Sequence, residues 1–191
     1  MEYLYLDSEF NRKDFTPRGL VSIALATKNA SYYAVNNDMD ISGIANDPEI
    51  GPWMTEHVLD PHIPHQSLRR LRQNAPEVKD FRTIGKEIDA FLQAASFTGN
   101  ARDDLRVIVN CGAQDMVRLH TVLANNDWGL FGNHVPLFAD DIARWKCEAR
   151  LRGLDDGDLP HQPIETLHHA LYDAEHEMIT HQYLLERFGK M

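Results

Sequence analysis

The sequence has only two cysteines in 191 residues, Cys111 and Cys147, and they form no CxxC pair. This spacing argues against a disulfide framework and against a cysteine zinc site. No apolar run approaches the roughly 20 residues that a membrane-spanning helix requires. The N-terminal residues also lack the basic and apolar regions of a secretory signal. We therefore expect a protein of the reducing cytoplasm that does not interact with a membrane.

Basic residues are also scarce. The chain has 19 lysines and arginines against 29 acidic side chains, which gives a formal net charge of −10. A protein that coats nucleic acid through a basic face carries the opposite charge. An enzyme that holds the end of a nucleic acid through metal ions remains compatible with this value, because each ion adds local positive charge that the count omits.

The composition is that of an ordinary globular protein, with 43% hydrophobic and 25% charged residues, and we expect residues 1–191 to form a single domain. Short apolar runs predict strands at residues 2–6, 19–28, 31–36 and 105–110. Helical spacing predicts helices at 84–95, 113–124 and 165–188, and a short helix is expected within 51–59. Two prolines predict a loop at 60–65. This order of elements indicates an α/β fold with a mixed central β-sheet flanked by helices.

Two carboxylates, Asp7 and Glu9, follow the first predicted strand with one residue between them. Side chains two positions apart in an extended segment lie on the same face. Two carboxylates at the end of a core strand are costly unless a cation joins them, and oxygen-rich sites favour Mg²⁺ or Mn²⁺. For this segment taken alone, a solvated turn after the strand is the alternative.

Three further groups accompany these acids. Asp115 lies in the first turn of a predicted helix, while His168 and Asp173 lie near the start of the last one. Each has a structural interpretation, because Asp115 complements the helix dipole and His168 suits a surface or capping position. Five positions correspond to about 140° around an ideal helix, so two helical residues at this spacing do not share a face. We therefore expect His168 in the preceding loop or the first turn, and Asp173 inside the helix.

Taken together, Asp-x-Glu, Gly-x-x-Asp and His-x4-Asp resemble the three motifs of the DEDDh 3′-5′ exonucleases, whose fold is ribonuclease H-like. The resemblance covers residues 3–185. Several stretches are more similar to the exoribonuclease AS type, and ribonuclease T is a more distant relative; these stretches are residues 6–10, 32–35, 57–59, 112–115 and 168–174. Ser8 stands where the commoner first motif has threonine, and it keeps a small side chain with a hydroxyl.

The resemblance implies a metal-dependent exoribonuclease. It assigns two Mg²⁺ ions, with Mn²⁺ as a plausible substitute, to four carboxylate ligands, and it assigns the general base to a histidine; these residues are Asp7, Glu9, Asp115, Asp173 and His168. The implied substrate is the 3′ end of single-stranded RNA, with adenylate tails preferred in that branch, and the product is a nucleoside 5′-monophosphate. Ser8, Phe10 and Trp53 are candidate substrate contacts. The resemblance also implies a homodimer.

Two alternatives of different kinds remain open. The chain could be a DNA-directed 3′-5′ exonuclease, and contacts to the 2′-hydroxyl would separate the two substrates. It could also be an inactive ribonuclease H-like module that binds nucleic acid. The basic run at residues 69–72 is a candidate for phosphate contacts, with a solvated helix face as the other interpretation. His57, His62 and His65 form either a metal site or a plain loop.

Overall fold

The strands belong to one mixed sheet. The computed structural model describes residues 2–63, 75–124, 136 and 138–189. Its strands are β1 Glu2–Phe10, β2 Leu20–Ala26, β3 Ser31–Asn36, β4 Val78–Lys79, β5 Leu105–Val109 and β6 Ala139–Asp141. They are ordered β4-β3-β2-β1-β5-β6. The β1-β2-β3 meander is antiparallel, while β4 pairs in parallel with β3, β5 with β1, and β6 with β5.

Helices cover both faces of this sheet. The helices of the described residues are α1 Ile41–Ala45, α2 Gly51–Met54, α3 Asp60–His62, α4 Phe81–Ala95, α5 Ala101–Asp104, α6 Ala113–Ala124, α7 Ile142–Leu151 and α8 Ala170–Phe188. One apolar cluster joins the sheet to α4 and α6, and a second joins it to α7 and α8. The predicted α/β architecture with a mixed central sheet and flanking helices is therefore confirmed. Among the described helices, none is long and apolar enough to cross a bilayer.

Strand β1 lies at the centre of the sheet and is longer than the sequence predicted. Its pairing with β2 continues past Leu6, because Asp7 pairs with Ala24 and Glu9 with Ser22, and the register shifts only between Glu9 and Phe10. The predicted end of the strand at residue 6 is therefore wrong. The two acids lie within the strand, where its pleat fixes the face on which each side chain lies.

The loop predicted at residues 60–65 is wrong over the part that the structure describes. Asp60–His62 is helical and follows directly on a π-helical turn at Thr55–Leu59. Pro61 lies in the first turn of this last segment, where a missing N–H is tolerated. Residues 64 and 65 lie outside the described ranges.

The last helix begins later than predicted, at Ala170 instead of residue 165. The reason is local, because His168 has a φ of 62°. This left-handed conformation is incompatible with a continuous right-handed helix. The expectation that His168 precedes the helix and that Asp173 lies inside it is confirmed. Two other predicted elements, β3 and α6, have the bounds that the sequence predicted.

Candidate active site

One cavity gathers every residue that the sequence nominated for the site. Its volume is about 760 Å³, and it lies where β1, α2, α6 and α8 meet. Its lining includes Asp7, Ser8, Glu9, Phe10, Trp53, Asp115, His168 and Asp173. Residues separated by more than 150 positions in the chain thus share one concave surface.

Strand β1 contributes the two central carboxylates. Tyr5 packs in the cluster formed with α7 and α8, and the pleat places Asp7 and Glu9 on the same face as Tyr5. The Oδ2 atom of Asp7 is buried and has no hydrogen-bond partner among the described residues. Burial raises the pKa of Asp7 well above its usual range, and the charges of Asp115 and Glu9 raise it further. Burial, followed by the charge of Asp173, likewise raises the pKa of Glu9.

Asp115 reaches the cavity from the other side of β1. It lies in the first turn of α6, directly after a tight connection from β5. This connection requires Gly112, because a Cβ atom there would lie 2.2 Å from the Cβ of Val109. The hydroxyl of Ser8 donates a 2.5 Å hydrogen bond to Oδ1 of Asp115. Burial raises the pKa of Asp115 to about 6, and the bond from Ser8 opposes this shift by favouring the carboxylate.

Asp173 projects into the cavity from the first turn of α8. Burial raises its pKa, and the side-chain amide of Gln162 opposes this by donating a 2.5 Å hydrogen bond to Oδ1. Gln162 also lines the cavity, so this carboxylate is oriented by a neighbour from the loop before the helix.

His168 is positioned by aromatic and backbone contacts. The centroid of its ring lies 4.8 Å from that of Trp53 and 5.8 Å from that of His57. The Nε2–H group of His62 donates a 2.9 Å hydrogen bond to the carbonyl oxygen of Leu167, which fixes the backbone just before His168. Burial lowers the pKa of His168, so its imidazole is neutral near pH 7 and can accept a proton.

The donor set fits a divalent cation. Glu9, His168 and Asp173 each offer one ligand atom, and these atoms all lie within 4.8 Å of one another. Asp7 adds the buried oxygen that lacks a protein partner. Carboxylate oxygens are ligands of divalent cations such as Mg²⁺ and Mn²⁺, and an imidazole nitrogen is a ligand of transition-metal ions such as Zn²⁺. A cation at this position would also counter the mutual repulsion that raises the pKa values of these acids.

Sequence reasoning missed two acids that line the cavity: Glu49, which is exposed, and Glu177. The side chain of Glu177 is only 4% exposed, and its Oε2 atom has no hydrogen-bond partner among the described residues. It lies four positions after Asp173 on α8, which places both carboxylates on one side of the helix. That spacing was the available signal. An isolated glutamate in a helix, however, usually belongs to the solvated face.

The three candidate substrate contacts differ in their surroundings. Trp53 is 43% exposed at the cavity, which leaves its ring available. The ring of Phe10 packs 4.6 Å from the guanidinium of Arg118, which anchors the loop after β1 by donating to the carbonyl oxygens of Asn11 and Asp14. Ser8 is committed to Asp115. The basic run at 69–72 lies outside the described residues.

Comparison with known proteins adds no assignment, since no protein-family model matches the chain and a search of the curated proteins finds no similar sequence. The chemistry of the cavity therefore carries the functional argument.

Proposed function

We propose that this protein is a metal-dependent 3′-5′ exoribonuclease that removes nucleoside 5′-monophosphates from single-stranded RNA. The observation that carries the proposal is the convergence on one cavity of four carboxylates from three separate elements and one histidine from the loop before α8. They are Asp7, Glu9, Asp115, Asp173 and His168. A module that only binds nucleic acid has no use for this concentration of negative charge, because phosphates repel it.

The four acids are the residues that would hold the ions, and Mg²⁺ is the proposed metal, with Mn²⁺ as an alternative. When bound, such ions lower the pKa of water and neutralise the charge that develops on a reacting phosphodiester. The protein orients these ligands through two donors, with the Ser8 hydroxyl on Asp115 and the Gln162 amide on Asp173. Both hydrogen bonds favour the charged form of the acid and so keep it ready to bind a cation.

His168 is the proposed general base. Its lowered pKa leaves a ring nitrogen free to take the proton of the attacking water near neutral pH. The neighbouring charge of Asp173 acts in the opposite direction and stabilises the imidazolium that results. Hydrolysis of the terminal phosphodiester then leaves a new 3′-hydroxyl on the shortened strand and releases a nucleoside 5′-monophosphate.

Trp53 is the proposed contact for the terminal base. An exposed indole at the edge of a cavity offers a stacking surface that accepts any base. The indole also makes a T-shaped contact with the ring of His168, so a nucleobase stacked on Trp53 would lie near the proposed general base. Part of the binding energy would thus be used to position the scissile phosphate.

A 5′-labelled oligonucleotide tests the direction and the substrate together. Single-stranded oligo(A), a mixed RNA and the matched DNA are incubated with Mg²⁺, and the products are resolved at single-nucleotide resolution. The proposal predicts a ladder of RNA products that shorten from the 3′ end, with nucleoside 5′-monophosphates in solution. Digestion of the DNA alone would replace the proposed substrate, and a single internal cut would contradict the exonuclease assignment.

Three further proposals accompany this function. The mixed sheet with its flanking helices is proposed to be a ribonuclease H-like fold, and the protein is proposed to act in the cytoplasm. It is also proposed to be a homodimer, in which a second protomer would help an acidic chain to hold RNA. Light scattering at working concentration tests the last point, and a monomer would refute it.

A further inference from the structure

Three facing pairs of side chains connect β1 with α8. At one end, the hydroxyl of Tyr5 and Nδ1 of His181 lie 2.9 Å apart. At the other end, ligand atoms of Glu9 and Asp173 lie within 4.8 Å of each other. Between these two pairs, β1 contributes Asp7, whose Oδ2 atom is buried, and α8 contributes the buried side chain of Glu177.

The geometry of the two elements keeps these pairs in register. Two residues of a strand advance by about 6.6 Å, while four residues of a helix advance by about 6 Å. The step from Tyr5 to Asp7 therefore matches the step from His181 back to Glu177. The same relation places Asp7 opposite Glu177, and the charge of Glu177 accordingly contributes to the raised pKa of Asp7.

Like Glu9 and Asp173, the central pair consists of two carboxylates, and each of them has one buried oxygen without a partner among the described residues. These oxygens are Oδ2 of Asp7 and Oε2 of Glu177. The side chain of Glu177 is only 4% exposed, and it lines the cavity. A buried carboxylate is costly unless it is paired or coordinates a cation.

The charged side chains that line the cavity indicate that a cation completes the pair formed by Asp7 and Glu177. Lys146, from α7, lines the same cavity, and its charge favours the ionised form of Glu177. The cavity lining carries six carboxylates, those of Glu49 and the five acids of the site, against two basic side chains, Arg12 and Lys146, so bound cations would be needed to balance its charge.

We propose that Glu177 is a fifth carboxylate of the metal centre and coordinates the cation that Asp7 binds, an inference that rests on the proposed metal-dependent function. The two unpartnered oxygens are the ligand atoms. In this arrangement Glu177 binds the metal, and His168 accepts the proton of the attacking water.

Binding of Mn²⁺ in the absence of nucleic acid provides the test. Isothermal titration compares the wild type with Glu177→Gln, which keeps the shape of the side chain and removes its charge. Glu186→Gln is the matched control, because Glu186 is an exposed glutamate of the same helix. The proposal predicts that Glu177→Gln weakens the binding of at least one ion by about tenfold or more, in the range seen when groups around a metal are removed. The control should bind like the wild type.

Thermal unfolding separates this role from a purely structural one. In EDTA, Glu177→Gln should be at least as stable as the wild type, because it removes repulsion from a buried acidic cluster. Added Mn²⁺ should raise its Tm less than it raises that of the wild type. A variant that matches the wild type in both the isotherm and the metal-induced rise in Tm would overturn the proposal. If Glu177→Gln does not fold, Glu177→Asp replaces it, with the same criterion.

The failure of this proposal is distinct from the failure of the proposed function. If the wild-type protein binds Mn²⁺ through Glu177 but releases no nucleotide, the proposed metal site stands and the proposed exonuclease activity is refuted. If the wild-type protein degrades RNA and Glu177→Gln binds Mn²⁺ normally, the exonuclease proposal stands and the proposed role of Glu177 as a metal ligand is refuted.

Discussion

The hydroxyl of Ser8 donates a 2.5 Å hydrogen bond to Oδ1 of Asp115 and so joins the middle of the first motif to the second. Ser8 lies on the face of β1 opposite to Asp7 and Glu9. One short segment of strand thereby directs two carboxylates toward α8 and fixes a third, on α6, from its other face. The residue between the two acids is thus part of the architecture of the site.

Replacing this serine should weaken the site without removing a ligand. In Ser8→Ala, Asp115 loses a hydrogen bond that favours its charged form, so its pKa rises further above the ordinary value. Hydrogen bonds to charged groups contribute roughly 1.5–3 kcal/mol, so we expect activity near pH 7 to fall by about tenfold or more. Raising the pH should restore part of it, which a pH series of initial rates would reveal.

The control for this variant is Ser42→Ala, at an exposed position of α1. It should leave the pH dependence unchanged. A uniform loss of activity in Ser8→Ala at all pH values would show that the hydroxyl acts in some way other than on the charge of Asp115.

Removal of the proposed general base should affect the chemical step more than binding. We expect His168→Ala to lower kcat by about 100-fold or more, the usual range for general acid–base catalysis. Binding of RNA in Ca²⁺, measured by fluorescence anisotropy, should change little. In the wild type, kcat should fall as the pH drops below the ordinary histidine value of about 6.5, because burial lowers the pKa of His168. If His168→Ala has the kcat of the wild type, His168 is not the general base.

Loss of the exposed indole should affect substrate binding. Base stacking on an aromatic side chain contributes about 1–3 kcal/mol, so Trp53→Ala should raise KM by about tenfold. Phe97→Ala is the comparison, because Phe97 is 76% exposed and is not among the residues that line the cavity. Equal KM values for the two variants would refute the stacking role of Trp53.

The buried acids also predict how the metal-free protein responds to pH. Asp115 has a pKa of about 6 in the folded chain against an ordinary value of 3.8. Its favourable contribution to folding is present below the ordinary value and is lost as the pH rises through about 6. Histidines with lowered pKa values make the protein more stable as the pH rises, which opposes the effect of Asp115. The informative quantity is therefore the difference in Tm between the wild type and Asp115→Asn.

In EDTA, the Tm of Asp115→Asn relative to the wild type should therefore increase between about pH 4 and about pH 6. Differential scanning fluorimetry over a pH series measures this difference. The effect should disappear with saturating Mg²⁺, because the bound ion favours the ionised carboxylate. A difference that is constant with pH would contradict the assignment of a raised pKa to Asp115.

The sequence predicted elements well where local pattern and tertiary structure agree. The helical spacing of α6 and the apolar alternation of β3 gave the observed bounds. The end of β1 was misplaced because Asp7, Ser8 and Glu9 look like a solvated turn, whereas pairing with β2 keeps them extended. Intrinsic propensity describes only the segment itself, whereas here pairing with the neighbouring strand determines the conformation of residues 7–9.

The same difference between local and tertiary information explains the results at the site. The five residues of the motifs were predicted from their chemistry and order, and the structure brings all of them to one cavity. Glu177 was missed because a helical glutamate is ordinarily exposed, and only the register of α8 against β1 buries it opposite Asp7. The contacts of His168 with Trp53 and His57 likewise depend on how the helical segment that holds these two residues packs beside the start of α8, which local sequence does not encode.

The most direct test of the proposed function is the metal dependence of nucleotide release. Wild-type protein and Asp173→Asn are incubated with single-stranded RNA in Mg²⁺, in EDTA, and in EDTA followed by excess Mg²⁺, and the nucleoside 5′-monophosphate is quantified by chromatography. We expect release by the wild type in Mg²⁺, none in EDTA, recovery on adding Mg²⁺, and none from Asp173→Asn although it remains folded. Asp7→Ala should behave in the same way. Release that persists in EDTA, or full activity in either variant, would contradict the account.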